Sequence, residues 1–216
     1  MTVASLTVAV KVCGLRRAAD AERAVEAGAR LLGCVLAADS PRRATHDEVR
    51  RVAAAGAAAE APVETVLVFR AATTEQVVGS CRALGLRRVQ VHRPAAGQLV
   101  ALARAGLLVH RVHGLPAADD GPGAALPRLE PAPTPHCPAL LDTGAGGSGT
   151  PFDWDLLAGG APHATYVAGG LTPENLPALL VHRPFGVDLS SGLESAPGVK
   201  DPGRLRDLFA LLETAS

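Results

Sequence analysis

Residues 166–201 read YVAGGLTPENLPALLVHRPFGVDLSSGLESAPGVKD, two apolar runs that each end in a glycine-bearing turn. A short apolar run, Tyr166 to Ala168, meets Gly169 and Gly170. Thr172-Pro173-Glu174 then predicts a helical segment, with a hydroxyl at the N-cap and a proline where its missing N–H costs nothing. A second apolar run, Phe185 to Val187, ends in Asp188-Leu189-Ser190-Ser191-Gly192. Two successive strands therefore finish in glycine-bearing turns rich in free N–H groups and hydroxyls. In a parallel barrel such turns lie side by side at the carboxyl ends of the strands. Amides that converge there with a helix N-terminus form an anion site, and the last two strands of a (β/α)8 barrel commonly hold a phosphate this way. A phosphorylated small molecule is the ligand this pattern predicts.

The rest of the chain repeats the alternation. Strands are predicted at 8–12, 31–36, 63–69, 88–91, 107–112 and 139–141, ahead of the two just described. Helices are predicted at 18–27, 45–59, from Thr73 or Thr74 to Leu84, and at 95–104 and 202–213. Thr45-x-x-Glu48 is a capping box, in which hydroxyl and carboxylate satisfy each other's backbone N–H groups. Gly28, Gly85 and Gly106 each close a helix. From Gly114 to Pro138 the pattern dissolves into Pro, Gly, Ala and Asp, which reads as a long loop or a degenerate fifth crossover. Phe152 to Leu157 begins a short helix. Eight strands alternating with helices imply a closed parallel sheet, a (β/α)8 barrel in one domain spanning 1–216.

Composition narrows the function. The 216 residues carry a formal net charge of zero, which makes nucleic acid and anionic membrane poor partners. The amino end, MTVASLTVAVKVCG, lacks the basic and long apolar regions of a signal peptide, and no apolar run approaches the ~20 residues of a membrane span. Cys13, Cys34, Cys81 and Cys137 show neither CxxC nor zinc-ligand spacing. That pattern predicts reduced thiols in a cytoplasmic protein, with no metal. Nothing in the composition distinguishes a monomer from a homodimer. Lysine occurs only at Lys11 and Lys200.

Polar residues just past strand ends are the candidates for chemistry, because that end of a barrel carries the active site. Cys13 ends the first strand, and is either a small buried hydrophobe or a general base. A base requires the thiolate, hence a neighbouring cation, and Lys11 lies on the same face of the strand. Asp142 ends the sixth strand, as a turn former or as a general acid that keeps its proton through desolvation. Arg42 is either a surface cation or a fork for a substrate carboxylate. Asp188 either orients substrate hydroxyls or caps its turn, and His92 is structural or catalytic. The run Gly146-Gly147-Ser148-Gly149 is a flexible loop, a lid or a phosphate contact.

Taken together, LysValCysGly at 11–14, SerProArg at 40–42, ValGlnValHis at 89–92, LeuLeuAsp at 140–142, GlyGlySerGly with PheAspTrp at 146–154, AlaGlyGlyLeuThrProGluAsn at 168–175 and AspLeuSerSerGlyLeuGlu with ProGlyValLysAsp at 188–201 resemble phosphoribosylanthranilate isomerase. The resemblance implies a barrel without cofactor that carries out an Amadori rearrangement in tryptophan biosynthesis. It converts N-(5′-phosphoribosyl)anthranilate to 1-(2-carboxyphenylamino)-1-deoxyribulose 5-phosphate. It also implies Cys13 as general base, Asp142 as general acid and Arg42 for the anthranilate carboxylate. Gly169, Gly170, Ser191 and Gly192 would bind the phosphate, with Gly147 closing over it.

The rim departs from the family at Cys34 to Asp39, at Arg70-Ala71, at Arg93, and in strand five, where Leu108 to Arg111 lacks the common lysine. Two alternatives stand beside this reading. A histidine-pathway aminoaldose isomerase of the same fold would need an aspartate in place of Cys13. A barrel acting only as a binding partner would have lost the acid or the base.

Overall fold

The computed structural model describes residues 8–116, 125–130, 132–143 and 150–214. Eight strands close in chain order: β1 (Ala9–Val12), β2 (Leu31–Val35), β3 (Glu64–Arg70), β4 (Arg88–His92), β5 (Leu108–Leu115), β6 (Ala139–Thr143), β7 (Thr165–Val167) and β8 (Gly186–Leu189). Every neighbouring pair is parallel, and β8 returns to β1 with Lys11 opposite Asp188. A small antiparallel hairpin follows, β9 (Glu194–Ala196) and β10 (Val199–Lys200). The helices are α1 (Ala18–Glu26), α2 (His46–Ala57), α3 (Thr74–Leu84), α4 (Gln98–Arg104), α5 (Leu176–Leu180) and α6 (Pro202–Thr214). The (β/α)8 barrel expected from the sequence is the fold observed.

Strands covered on both faces need apolar residues on both, and the two faces form two cores. Val10, Val12, Leu32, Leu67, Val89, Leu141 and Val187 pack outward with helix residues such as Ala21, Val49, Val77 and Leu208. Leu31, Val35, Val66, Val68, Leu140 and Tyr166 fill the barrel. Each fully buried Val or Leu contributes roughly 1.5–3 kcal/mol, so many small side chains offset the shortage of aromatics. Polar residues also enter the barrel: Lys11, Arg88, Gln90, His110, Asp142 and Asp188 are all buried. At the amino-terminal end Arg88 pairs with Glu64 and donates to the His136 carbonyl at 2.8 Å. Its Nη1 also lies 3.2 Å from Nε2 of His110. Arginine can only donate, so that nitrogen accepts.

The capping box at Thr45 forms, and Thr73, rather than Thr74, caps α3 with a second box through Gln76. Two helix starts differ from expectation. The fourth helix starts at Gln98, not Ala95, because Gly97 takes the left-handed conformation (φ 72°) and Gln98 turns its side chain back to accept from the Ala95 N–H at 3.0 Å. Thr172 opens a turn, and α5 itself begins at Leu176. The Thr172 N–H donates to Oδ1 of Asn175 at 2.9 Å and its carbonyl accepts from the Leu176 N–H at 3.1 Å, so Asn175 shares the work of starting the helix. Between Gly114 and Pro138, β5 runs on to Leu115, and the described residues contain no helix. Trp154–Leu157 forms the short helix expected there, as a single 3-10 turn.

Candidate active site

One open cavity of about 790 Å3, its solvent-facing mouth included, occupies the carboxyl ends of the strands. That size lies within the range of small-molecule sites. Cys13, Arg42, Asp142, Gly169, Gly170, Asp188 and Ser191 all line it, as do His92, Arg70, Gln90 and Ser190. The sequence-predicted residues thus come from the ends of six different strands to one place. Gly192 stands behind the wall: a Cβ there would collide with the Leu171 carbonyl, so its lack of a side chain lets two turns pack together. Gly147 lies outside the described residues.

The floor is charged. Lys11 Nζ donates to Asp188 Oδ2 at 2.6 Å, with Lys11 wholly buried and Asp188 nearly so. Burial alone would favour the neutral amine, but the charges of Asp188 and Cys13 outweigh it and hold the Lys11 pKa above its ordinary value. The same ammonium favours the ionised form of the Cys13 sulfur, as the placement of Lys11 and Cys13 on one face of the strand predicts. It does not make the thiol acidic, because burial raises the Cys13 pKa by more than Lys11 lowers it. The thiol is packed tightly: a Cβ on Gly33 would sit 2.7 Å from Cys13 Sγ.

Burial first, and the Asp188 carboxylate second, push the Asp142 pKa up to about 7. Asp142 therefore keeps its proton near neutrality, as a general acid must. His92 faces it, with Nδ1 4.0 Å from Asp142 Oδ2. Burial, aided by Lys11, Arg70 and Arg93, lowers the His92 pKa to about 4, so the ring is neutral. Gln90 Nε2 donates to His92 Nε2 at 2.8 Å, which leaves the ring proton on Nδ1, towards the acid. Oδ1 of Asp142, Oδ1 of Asp188 and Oε1 of Gln90 are buried acceptors with no hydrogen-bond partner among the described residues. Buried polar atoms without partners are costly, and these three belong to residues that line the cavity.

Opposite lie the turns after β7 and β8. Gly169 and Gly170 both adopt positive φ (90° and 62°). A Cβ on Gly169 would sit 2.9 Å from Asp142 Oδ1, so only glycine lets this backbone approach the acid. The N–H groups of both glycines lack an acceptor among the described residues, and Asn175 Nδ2 steadies the turn by donating to the Gly170 carbonyl at 2.8 Å. Ser190 Oγ donates to the Cys13 carbonyl at 3.2 Å, joining this side to the base.

Arg42 differs from expectation. The edge of its fork suited to a two-point grip is already taken by Glu194, which accepts from Nε at 2.9 Å and lies 2.8 Å from Nη2. Glu194 and Lys200 are the residues missed in the sequence. Their one signal is the scarcity of lysine: both lysines in the chain are buried at this end of the barrel.

Fold and cavity together define a class: a (β/α)8 barrel whose open end carries a thiol, a carboxyl group and a glycine turn with free N–H groups. The family model for N-(5′-phosphoribosyl)anthranilate isomerase matches residues 10–210, and the chain belongs to that family. It is 38% identical to the N-(5′-phosphoribosyl)anthranilate isomerase of Paracoccus denitrificans over 214 residues, 95% of this chain and 97% of that protein. It is 36% identical to the Tryptophan biosynthesis protein TrpCF of Yersinia pestis over 94% of this chain, and spans 40% of that longer relative. Among solved structures, the phosphoribosyl anthranilate isomerase of Thermus thermophilus superposes with a TM-score of 0.78 at 34% identity, covering 97% of this chain and 100% of that one. Another, solved in complex with reduced 1-(o-carboxyphenylamino)-1-deoxyribulose 5-phosphate, gives 0.74 at 26% identity over 96% and 99%.

Proposed function

We infer that this chain catalyses the Amadori rearrangement of N-(5′-phosphoribosyl)anthranilate to 1-(2-carboxyphenylamino)-1-deoxyribulose 5-phosphate, an aldose–ketose isomerisation of tryptophan biosynthesis. The observation that carries this reading is the single cavity in which Cys13 and Asp142 meet the Gly169-Gly170 and Ser190-Ser191 turns. Asp142 protonates the furanose ring oxygen, and the ring opens to a Schiff base. The Cys13 thiolate removes the proton from C2′, giving an enolamine that tautomerises to the ketone. The acid has then lost a proton and the base has gained one, and exchange through the open mouth restores both.

The remaining groups bind and orient. Backbone N–H groups at Gly169 and Gly170, with the hydroxyl of Ser191, receive the phosphate, and Asp188 Oδ1 accepts from a sugar hydroxyl. The ring carboxylate goes to the Nη1 side of Arg42. His92, neutral and facing Asp142, guides the acid's proton. The substrate is a soluble phosphosugar, and we place the reaction in the cytoplasm. No helix among the described residues is long and apolar enough to cross a membrane.

The test follows the fluorescence of the anthranilate substrate with purified protein. Turnover is expected in the native chain, with a fall of about 100-fold or more in Cys13→Ser and in Asp142→Asn, each of which loses a proton-transfer group. A native chain inert on this substrate but active on the histidine-pathway aminoaldose would overturn the assignment.

A further inference from the structure

Beside the cavity, three charges share one buried site. Glu194 accepts from Arg42 Nε at 3.0 Å on Oε1 and 2.9 Å on Oε2, from Lys200 Nζ at 2.9 Å, and from the Gly198 N–H at 3.2 Å. Its side chain is 5% exposed, that of Lys200 0% and that of Arg42 18%, so only the arginine reaches solvent appreciably. Lys200 Nζ also donates to the Ser190 carbonyl at 3.0 Å, in the turn after β8 that the proposed function assigns to the phosphate. The cluster packs on the residue after the base: a Cβ on Gly14 would lie 2.9 Å from Arg42 Cδ, 2.9 Å from Ser190 Oγ and 3.3 Å from Glu194 Oε1. One carboxylate therefore joins the loops after β1, β2 and β8.

We propose that Glu194 is a positioning residue. It clamps the Nε–Nη2 edge of Arg42 so that the Nη1 end is presented to the substrate carboxylate, and through Lys200 it locks that grip to the phosphate turn at a set distance. Two observations point this way. An unclamped arginine is a long rotamer-rich chain that must be ordered on binding; here the ordering is already done. The charges also do not cancel. Two cations share one anion, leaving a net positive charge at the rim that suits a ligand carrying both a carboxylate and a phosphate. Arg42 and Lys200, outweighing the opposing effect of burial, hold Glu194 below the usual carboxylate range, so it stays ionised as the clamp requires.

This inference rests on the reading of Arg42 as the carboxylate grip, and the experiment separates the two. The native chain, Glu194→Gln, Glu194→Asp, Arg42→Ala and the double variant R42A/E194Q are titrated calorimetrically with the reduced product analogue. The titrations are repeated with the same compound lacking its ring carboxylate, and kcat and KM are measured alongside. E194Q is expected to weaken the carboxylate-bearing ligand about 10-fold or more, the scale of a lost charge-assisted contact. The loss should appear in KM, with kcat nearly unchanged, and the ligand without a carboxylate should bind as before. Glu194→Asp, which keeps the charge, should recover part of the affinity. In the R42A background E194Q should cost nothing further, a comparison that holds if E194Q alone fails to fold. Equal weakening of both ligands, or an added loss in R42A/E194Q, would reduce Glu194 to a structural role and overturn the proposal. So would an R42A variant that binds the carboxylate-bearing ligand normally. A native chain that binds both ligands yet turns nothing over would take away the isomerase reading alone.

Discussion

Lys11 Nζ lies 2.6 Å from Asp188 Oδ2 at the seam where β8 closes onto β1, and the two residues are direct partners in the strand register. The barrel is thus fastened at its closure by a buried ion pair that also forms the active-site floor. Breaking such a pair from one side strands the other charge in the interior. Lys11→Met is therefore expected to cost about 3–5 kcal/mol, while K11M/D188N, which removes both charges, costs less than the sum of its parts. Guanidinium unfolding of Lys11→Met, Asp188→Asn and K11M/D188N measures this. Additive losses would show that the pair is not coupled.

The pH profile tests the acid and base together. The reactive form needs Asp142 protonated and Cys13 ionised, yet Asp142 titrates at about 7 and the Cys13 thiol above its ordinary value. Below pH 7 the acid is intact and the thiolate fraction grows tenfold per unit, so kcat/KM rises. Between the two values the loss of acid cancels the gain of thiolate, and the profile is flat. Above the thiol pKa it falls. The ascending limb near 7 therefore reports Asp142, although it is the thiol whose ionisation the reaction awaits. Thiolate absorbance recorded over the same range should rise only on the alkaline side. A thiol that titrates below pH 7 would sink this account.

Gly33 leaves room for the base. Its missing Cβ would sit 2.7 Å from Cys13 Sγ and 3.0 Å from Cys13 Cα, too close for either to stay. Gly33→Ala is expected to cost about 1–3 kcal/mol through overpacking. It should also lower kcat by up to about 100-fold, because a base displaced by an ångström loses its alignment. Steady-state kinetics and thermal melting read the two effects. Full activity in a folded variant would show that the thiol need not hold this position.

Much of this molecule was legible along the chain, because the relevant signals are local. Capping residues at Thr45 and Thr73, closing glycines and apolar runs mark elements whose hydrogen bonds are satisfied within a few residues of themselves. Parallel strand order then follows from alternation, and strand order places Cys13, Asp142, Asp188 and the Gly169-Gly170 turn at one end.

What the chain alone could not decide depends on distance across the barrel. Arg42 and Glu194 are 152 residues apart, and Lys11 and Asp188 are 177 apart; no periodicity links them. The ionisation of Cys13 and Asp142 is likewise a tertiary property. From sequence, Lys11 beside Cys13 argues for an acidic thiol; in the folded chain desolvation outweighs that cation and raises the thiol instead. Local sequence determined where each functional group stands on its strand. Only the closed barrel decided how much water each one loses and which distant charge replaces that water, and those two quantities set the chemistry of the site.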